Sequence, residues 1–121
     1  MDSSELGRRG EEEAAAHLRS NGWTILDRNF RLGRKEVDIV ASKDRVLAFV
    51  EVKCRRGSGF GHPLEAIDRK KRLEIARVAR GWLRQRELPP GTVVRFDAVG
   101  VFWLGGGRTD VIHVPDAWRM G

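Results

Sequence analysis

Three ionisable side chains stand between apolar neighbours in two apolar segments of this 121-residue sequence. Glu51 and Lys53 belong to the run FVEVK, and Asp38 belongs to the run EVDIV. Because side chains alternate along a strand, Glu51 and Lys53 share one face and are about 7 Å apart. A buried carboxylate is costly unless it is paired or binds a metal ion. The placement of these residues therefore predicts a site and not a solvated surface.

The two acids suggest what that site binds. If the two apolar segments form a hairpin, Asp38 and Glu51 lie close together near the strand ends. Adjacent carboxylates repel each other, and a hard divalent cation with oxygen ligands, Mg²⁺ or Mn²⁺, relieves that repulsion. Lys53 would then orient or activate water, or meet the charge of a phosphate. The alternative is structural, with Glu51 and Lys53 as a same-face salt bridge and Asp38 at a bulge.

A third acid lies on the first helical segment. On a helical wheel, Gly7, Ala14, Ala15 and Leu18 all fall within about 60° of Glu11. Glu11 therefore lies in the apolar, small-residue stripe that packs against the sheet. From that position it can reach the same cluster as Asp38 and Glu51.

The net charge of +6 and the pI of about 10.4 indicate a polyanionic partner, most often nucleic acid. Basic side chains concentrate in the run 69–72, around residues 28–35 and directly after the acidic site. For the basic side chains on the predicted helix, the alternative interpretation is a solvated helix face. The residues predicted to contact nucleic acid are Arg31, Arg34, Arg55, Arg69, Lys70, Lys71 and Arg72.

Further features concern the cellular location of the protein and the support of the acidic site. The one cysteine, Cys54, excludes an intrachain disulfide, which suits a cytoplasmic protein. The first residues carry no apolar run, so neither a signal peptide nor a membrane anchor is expected. Asp97, between Phe96 and Ala98, either supports the acidic site from a neighbouring strand or pairs on the side of Arg95.

The hydrophobic patterns predict one α/β domain over residues 1–121, in which two helices pack on a mixed β-sheet. A basic turn is expected at residues 29–35 and a glycine-rich loop at residues 56–63. The predicted helices are 5–20 and 64–86, and the predicted strands are 23–26, 36–41, 46–53, 92–103 and 109–114.

The spacing of Asp38, Glu51 and Lys53 is similar to the core of PD-(D/E)xK nucleases. The motifs GRRGEEEAAAHL, RNFR, EVDIV, FVEVKCR, GFGHPLEAI and RFDAVGV follow in order, over roughly residues 5 to 115. Together they resemble the YraN-like family of bacterial predicted endonucleases, distant relatives of archaeal Holliday-junction resolvases. The resemblance implies a restriction-endonuclease-like core.

The resemblance also implies residue roles. Asp38, Glu51 and the backbone carbonyl of Val52 would be metal ligands, and Lys53 would assist the water nucleophile. Glu11 would contact the metal directly or through water. The family usually has Gly-Glu-Ile-Asp before the first ligand, whereas this chain has KEVD at residues 35–38. That departure changes the turn and leaves the ligand in place.

Two hypotheses follow for the function. The first is a metal-dependent endonuclease that hydrolyses phosphodiester bonds, with branched or structured DNA as the expected substrate. The second is a nucleic-acid-binding module that keeps the fold without turnover. Both predict salt-sensitive binding, and only the first predicts dependence on metal. Action on two strands, as in a resolvase, would suit a homodimer.

Overall fold

The chain forms one five-stranded mixed sheet with a helix on each face, in a computed structural model that describes residues 2–57 and 67–119. The strand order is the chain order, and only β3 and β4 run parallel, with α2 in the connection between them. The predicted α/β fold is confirmed. The elements are α1 Ser3–Ser20, β1 Thr24–Leu32, β2 Lys35–Lys43, β3 Val46–Arg56, α2 Arg69–Leu83, β4 Val93–Gly105 and β5 Arg108–Trp118.

Helix α1 covers one face of the sheet. The Asp2 carboxylate accepts a hydrogen bond from the backbone N–H of Glu5 at 2.8 Å and so caps the helix. The small-residue stripe predicted from the helical wheel is buried against β3 and β4, as at Ala14 and Leu18. Gly10 permits the closest approach, because a Cβ there would overlap Sγ of Cys54.

Helix α2 covers the other face. Asp68 caps it by accepting a hydrogen bond from the N–H of Lys71 at 2.8 Å. Its buried residues include Ile75, Val78 and Trp82, and Trp82 meets Phe49 of β3 edge to face with 5.7 Å between the ring centroids. The central strands are therefore apolar on both faces, as the sequence of β3 predicts.

Several boundaries differ from the prediction. The basic turn expected at residues 29–35 is wrong, because β1 continues to Leu32 and the chain reverses at Gly33, whose φ is 64°. Helix α2 begins at Arg69 instead of residue 64 and ends at Leu83, and residues 58–66 lie outside the described chain. Strand β5 passes through Pro115, which an edge strand tolerates because one side of its backbone is unpaired.

Neither of the two described helices combines the length and the apolar character needed to cross a bilayer.

Candidate metal and phosphate site

The site lies where two adjacent strands separate. The antiparallel pairing of β2 with β3 runs from Lys43 and Val46 to Ile39 and Val50 and ends there. Beyond that point the Asp38 carboxylate takes the place of a backbone partner and accepts a hydrogen bond from the N–H of Val52 at 2.8 Å. The fork between the strands thus turns Asp38 towards β3, beside Glu51.

Asp38 and Glu51 form a closely coupled acidic pair. Burial, reinforced by the hydrogen bond and the negative charge of Glu51, raises the pKa of Asp38 to about 9. The Asp38 carboxyl group therefore favours its protonated form at neutral pH. This confirms the proximity that was predicted for the two acids from the hairpin.

Two ammonium groups neutralise Glu51, whose side chain is only 3% exposed. Lys53 Nζ lies 3.6 Å from Glu51 Oε2, as expected for its position on β3. Lys71 Nζ, from the first turn of α2, lies 3.4 Å from the same oxygen. Burial by itself would lower the pKa of Lys71, but the charge of Glu51 and the hydrogen bond to it, with smaller contributions from Asp38 and Glu74, together outweigh burial and raise the pKa.

The paired carboxyl groups suit a divalent cation in their donor chemistry. They are hard oxygen donors, and a cation can replace the proton that the raised pKa of Asp38 favours there. Magnesium is commonly held by one or two carboxylates while it keeps several waters, so two acids suffice. In residues 2–57 and 67–119, however, no three His, Cys, Asp or Glu side chains lie close enough together to hold an ion.

Glu11 is the predicted ligand that does not join the pair. It lines the same open cleft, of about 460 Å³, but its Oε1 accepts a hydrogen bond from Nδ2 of Asn29 at 2.8 Å. The structure therefore does not bring the three acids together, and the contact of Glu11 with a metal, directly or through water, stays a prediction. Its negative charge nonetheless contributes to the raised pKa of Asp38, so it remains close enough to act electrostatically or through water.

The predicted nucleic-acid contacts separate into two groups. Arg34, Arg69 and Lys70 are exposed, and Arg55 is also exposed although its side chain bonds the carbonyl of Cys54. The others have partners within the protein, which the charge pattern alone did not predict. Arg31 pairs with Glu36 across the β1–β2 ladder, Arg72 bonds the carbonyl of Ile67 and lies over Trp118, and Lys71 contacts Glu51.

Asp97 has a structural role, so its expected support of the acidic site is wrong and the pairing with Arg95 is correct. Its fully buried carboxylate accepts two hydrogen bonds from Arg95, at 2.9 and 2.8 Å. It is also 2.8 Å from Nε2 of His113 and accepts the N–H of Asp116 at 3.0 Å. Burial by itself would raise the pKa of Asp97, but these hydrogen bonds hold it below its usual value.

Cys54 borders the same cleft from the α1 side. Burial, together with the negative charges of Glu11 and Asp38, raises the pKa of its thiol to about 11. The thiol is therefore protonated at neutral pH and serves as a packing group between β3 and α1. This agrees with the expectation of an ordinary thiol.

Comparison with known proteins identifies one family. The uncharacterised protein family UPF0102 matches residues 10–101, which include Glu11, Asp38, Glu51, Lys53 and Lys71. Among curated relatives, a UPF0102 protein of Clavibacter michiganensis subsp. michiganensis is 44% identical, over 93% of this chain and 95% of its own length. Those of Chlorobaculum tepidum and Syntrophotalea carbinolica are 44% and 45% identical, over 96% and 95% of this chain and 93% and 92% of their own lengths.

Proposed function

This chain belongs to the uncharacterised protein family UPF0102, and we propose that it is a metal-dependent endonuclease acting on nucleic acid. The observation that carries the proposal is the hydrogen-bonded pair of half-buried Asp38 and buried Glu51, with the ammonium groups of two lysines beside Glu51. A purely structural ion pair needs one acid and one base. Two acids held together at the fork of two strands destabilise each other unless a proton or a cation lies between them.

The protein's own groups have separable roles in this proposal. Asp38 and Glu51, with the backbone carbonyl of Val52, would hold Mg²⁺ or Mn²⁺, and Glu11 would assist through water. Bound there, the ion would lower the pKa of water and stabilise charge on a phosphate. Lys53, beside Glu51, would meet the charge that develops when water bonds to phosphorus, one phosphorus–oxygen ester bond breaks and a proton passes to the leaving oxygen.

The basic surface supports nucleic acid as the substrate. Arg69 and Lys70 are exposed at the end of α2 from which Lys71 enters the cleft, and Arg55 follows the site on β3. Such groups neutralise phosphates and give affinity that falls with salt. We propose structured or branched DNA in a cytoplasmic setting, with a homodimer as the form that cuts two strands.

One observation favours the second hypothesis, a binding module without turnover. Lys53 and Lys71 already supply more positive charge than Glu51 alone requires, and Glu11 is engaged by Asn29, so these two carboxylates have partners in the absence of metal. On this hypothesis the site would bind a phosphate through its lysines. It predicts binding to nucleic acid that EDTA does not change.

Calorimetry with Mn²⁺ and cleavage assays on linear and branched substrates, with Mg²⁺, Mn²⁺ or EDTA, test the proposal. Asp38→Asn and Glu51→Gln preserve side-chain shape and should abolish both Mn²⁺ binding and cleavage. Asp44→Asn, at the exposed β2–β3 turn, is the matched control and should retain both. Binding of Mn²⁺ that is the same in all four proteins, or cleavage that persists in EDTA, would refute the metal-dependent site.

A further inference from the structure

Lys71 enters the acidic site from a different element than the other charged groups. Its Nζ lies 3.4 Å from Glu51 Oε2, a separation similar to the 3.6 Å of Lys53. Its backbone, however, belongs to the first turn of α2, on the face of the sheet opposite α1. Two ammonium groups on one buried carboxylate exceed what neutralisation of that carboxylate requires.

The two lysines differ in what holds them. Lys53 is two residues from Glu51 on the same face of β3, so its backbone keeps it beside that carboxylate. Lys71 reaches in from another element on its flexible four-carbon chain, and 34% of its side-chain surface is exposed, against 26% for Lys53. Rotation of that chain carries its ammonium group towards solvent without any movement of the helix. The neighbouring Arg69 and Lys70 are already exposed there.

The first turn of α2 is an unfavourable place for these cations on their own. The turn itself contains no acidic residue beyond its cap, Asp68, and cations at the positive end of a helix dipole destabilise the helix. Glu51 is the main compensating charge for Lys71, ahead of Glu74, and a cation bound to Glu51 would remove most of that compensation. An anion at this turn would then be the replacement partner.

We propose that Lys71 exchanges partners, contacting Glu51 when the acidic pair is free of metal and a backbone phosphate of nucleic acid when a divalent cation binds there. This inference rests on the proposed function, because it takes Asp38 and Glu51 as the metal ligands. Lys71 then competes with the cation for Glu51. Metal loading and nucleic-acid binding are coupled through one side chain, and each strengthens the other.

The competition is tested first without nucleic acid, by Mn²⁺ calorimetry. Lys71→Met and Lys71→Gln remove the charge beside Glu51 and should tighten Mn²⁺ binding by about tenfold. Lys71→Arg keeps the charge and should bind like the wild type. Lys70→Met is the matched control, since it removes the same charge from the adjacent exposed position, and it should leave Mn²⁺ affinity unchanged.

The exchange is tested by the affinity for a fluorescent DNA duplex in Ca²⁺ and in EDTA. The ratio of the two affinities should be about fivefold larger in the wild type than in Lys71→Met. Lys70→Met should weaken binding in both conditions and keep the wild-type ratio. Any direct bridge from metal to phosphate contributes equally to the affinity ratios of the wild type and Lys71→Met. The difference between these two ratios therefore isolates the contribution of Lys71.

The outcomes distinguish the two proposals. If the wild type binds Mn²⁺ in a manner that requires Asp38, yet both neutral variants at position 71 match it, partner exchange is wrong and the metal site stands. An equal increase in Mn²⁺ affinity for Lys70→Met would also overturn it, because the effect would then be one of general charge. If the wild type binds no Mn²⁺, the metal site and the exchange fail together.

Discussion

Asp38 and Glu51 lie on adjacent strands at the point where the strands separate, and their carboxyl groups share a hydrogen bond. The backbone N–H of Val52, freed by that separation, donates to Asp38 at 2.8 Å. The separation of β2 from β3 thus brings the two carboxyl groups together.

The raised pKa of Asp38 predicts a pH-dependent stability. The pKa is about 9 in the folded protein against an ordinary value of 3.8, so between these values the folded state binds more protons than the unfolded state. Its contribution to stability is full below about pH 4 and is lost as the pH rises towards 9. Chemical denaturation at pH 5, 6, 7 and 8 should show this decline, and Asp38→Asn should flatten it.

Asp44→Asn is the control for that experiment. Asp44 is exposed and, with a φ of 55°, occupies a turn position that asparagine also tolerates. The variant should keep the wild-type dependence on pH. If Asp38→Asn also keeps it, the carboxyl groups do not share a proton in solution.

Lys53 should be needed for cleavage more than for metal binding. An ammonium group is not a ligand for a cation, so Lys53→Met should retain Mn²⁺ binding and should tighten it, because the variant removes a positive charge 3.6 Å from Glu51. It should lower the cleavage rate by ~10²-fold or more, because it removes charge stabilisation in the transition state. Cleavage at the wild-type rate would mean that Lys53 is only a salt-bridge partner of Glu51.

The exposed cations at the start of α2 should set the salt dependence of binding. Replacing Arg69 and Lys70 by Ala should weaken binding to all nucleic-acid sequences alike and reduce the slope of log affinity against log salt by about two. Arg80→Ala with Arg84→Ala, at the other end of α2, is the control pair. Equal slopes in the two double variants would place the phosphates elsewhere.

The contact between α1 and β3 should tolerate no side chain at position 10. Gly10→Ala places a Cβ onto Sγ of Cys54 and should lower the free energy of unfolding by about 1–3 kcal/mol. Cys54→Ala removes that sulphur, leaving a tight but acceptable 3.3 Å to Cβ. Urea denaturation of the double variant should therefore show less loss than the sum of the two single variants, and additive losses would contradict the contact.

Asp97 should matter for stability and not for the site. Asp97→Asn leaves Arg95 without its buried carboxylate and should cost about 2–4 kcal/mol, measured by urea denaturation. Asp110→Asn, exposed on β5, should change stability by less than about 0.5 kcal/mol. Loss of Mn²⁺ binding in a folded Asp97→Asn protein would show instead that Asp97 supports the acidic site.

The sequence by itself determined the fold class and the two acids. Charges inside apolar runs are costly wherever the runs are buried, so residue type and position alone were enough to identify Asp38 and Glu51. Helical periodicity in the same way placed Glu11 near the cleft. Local patterns were weaker at boundaries: the basic composition of residues 29–35 favoured a turn, whereas pairing with β2 extends β1 through most of it.

Only the tertiary structure decided which charges meet. Lys71 and Lys70 are adjacent in one basic run, yet the rotation of α2 on the sheet directs the first to Glu51 and leaves the second exposed. Asn29 hydrogen-bonds Glu11 because β1 passes beside α1. Asp97 contacts Arg95 on its own strand β4 and His113 on the neighbouring β5. Apart from Arg95, which lies two residues from Asp97 on β4, these partners are distant in sequence, and residue spacing reports neighbours only within one element.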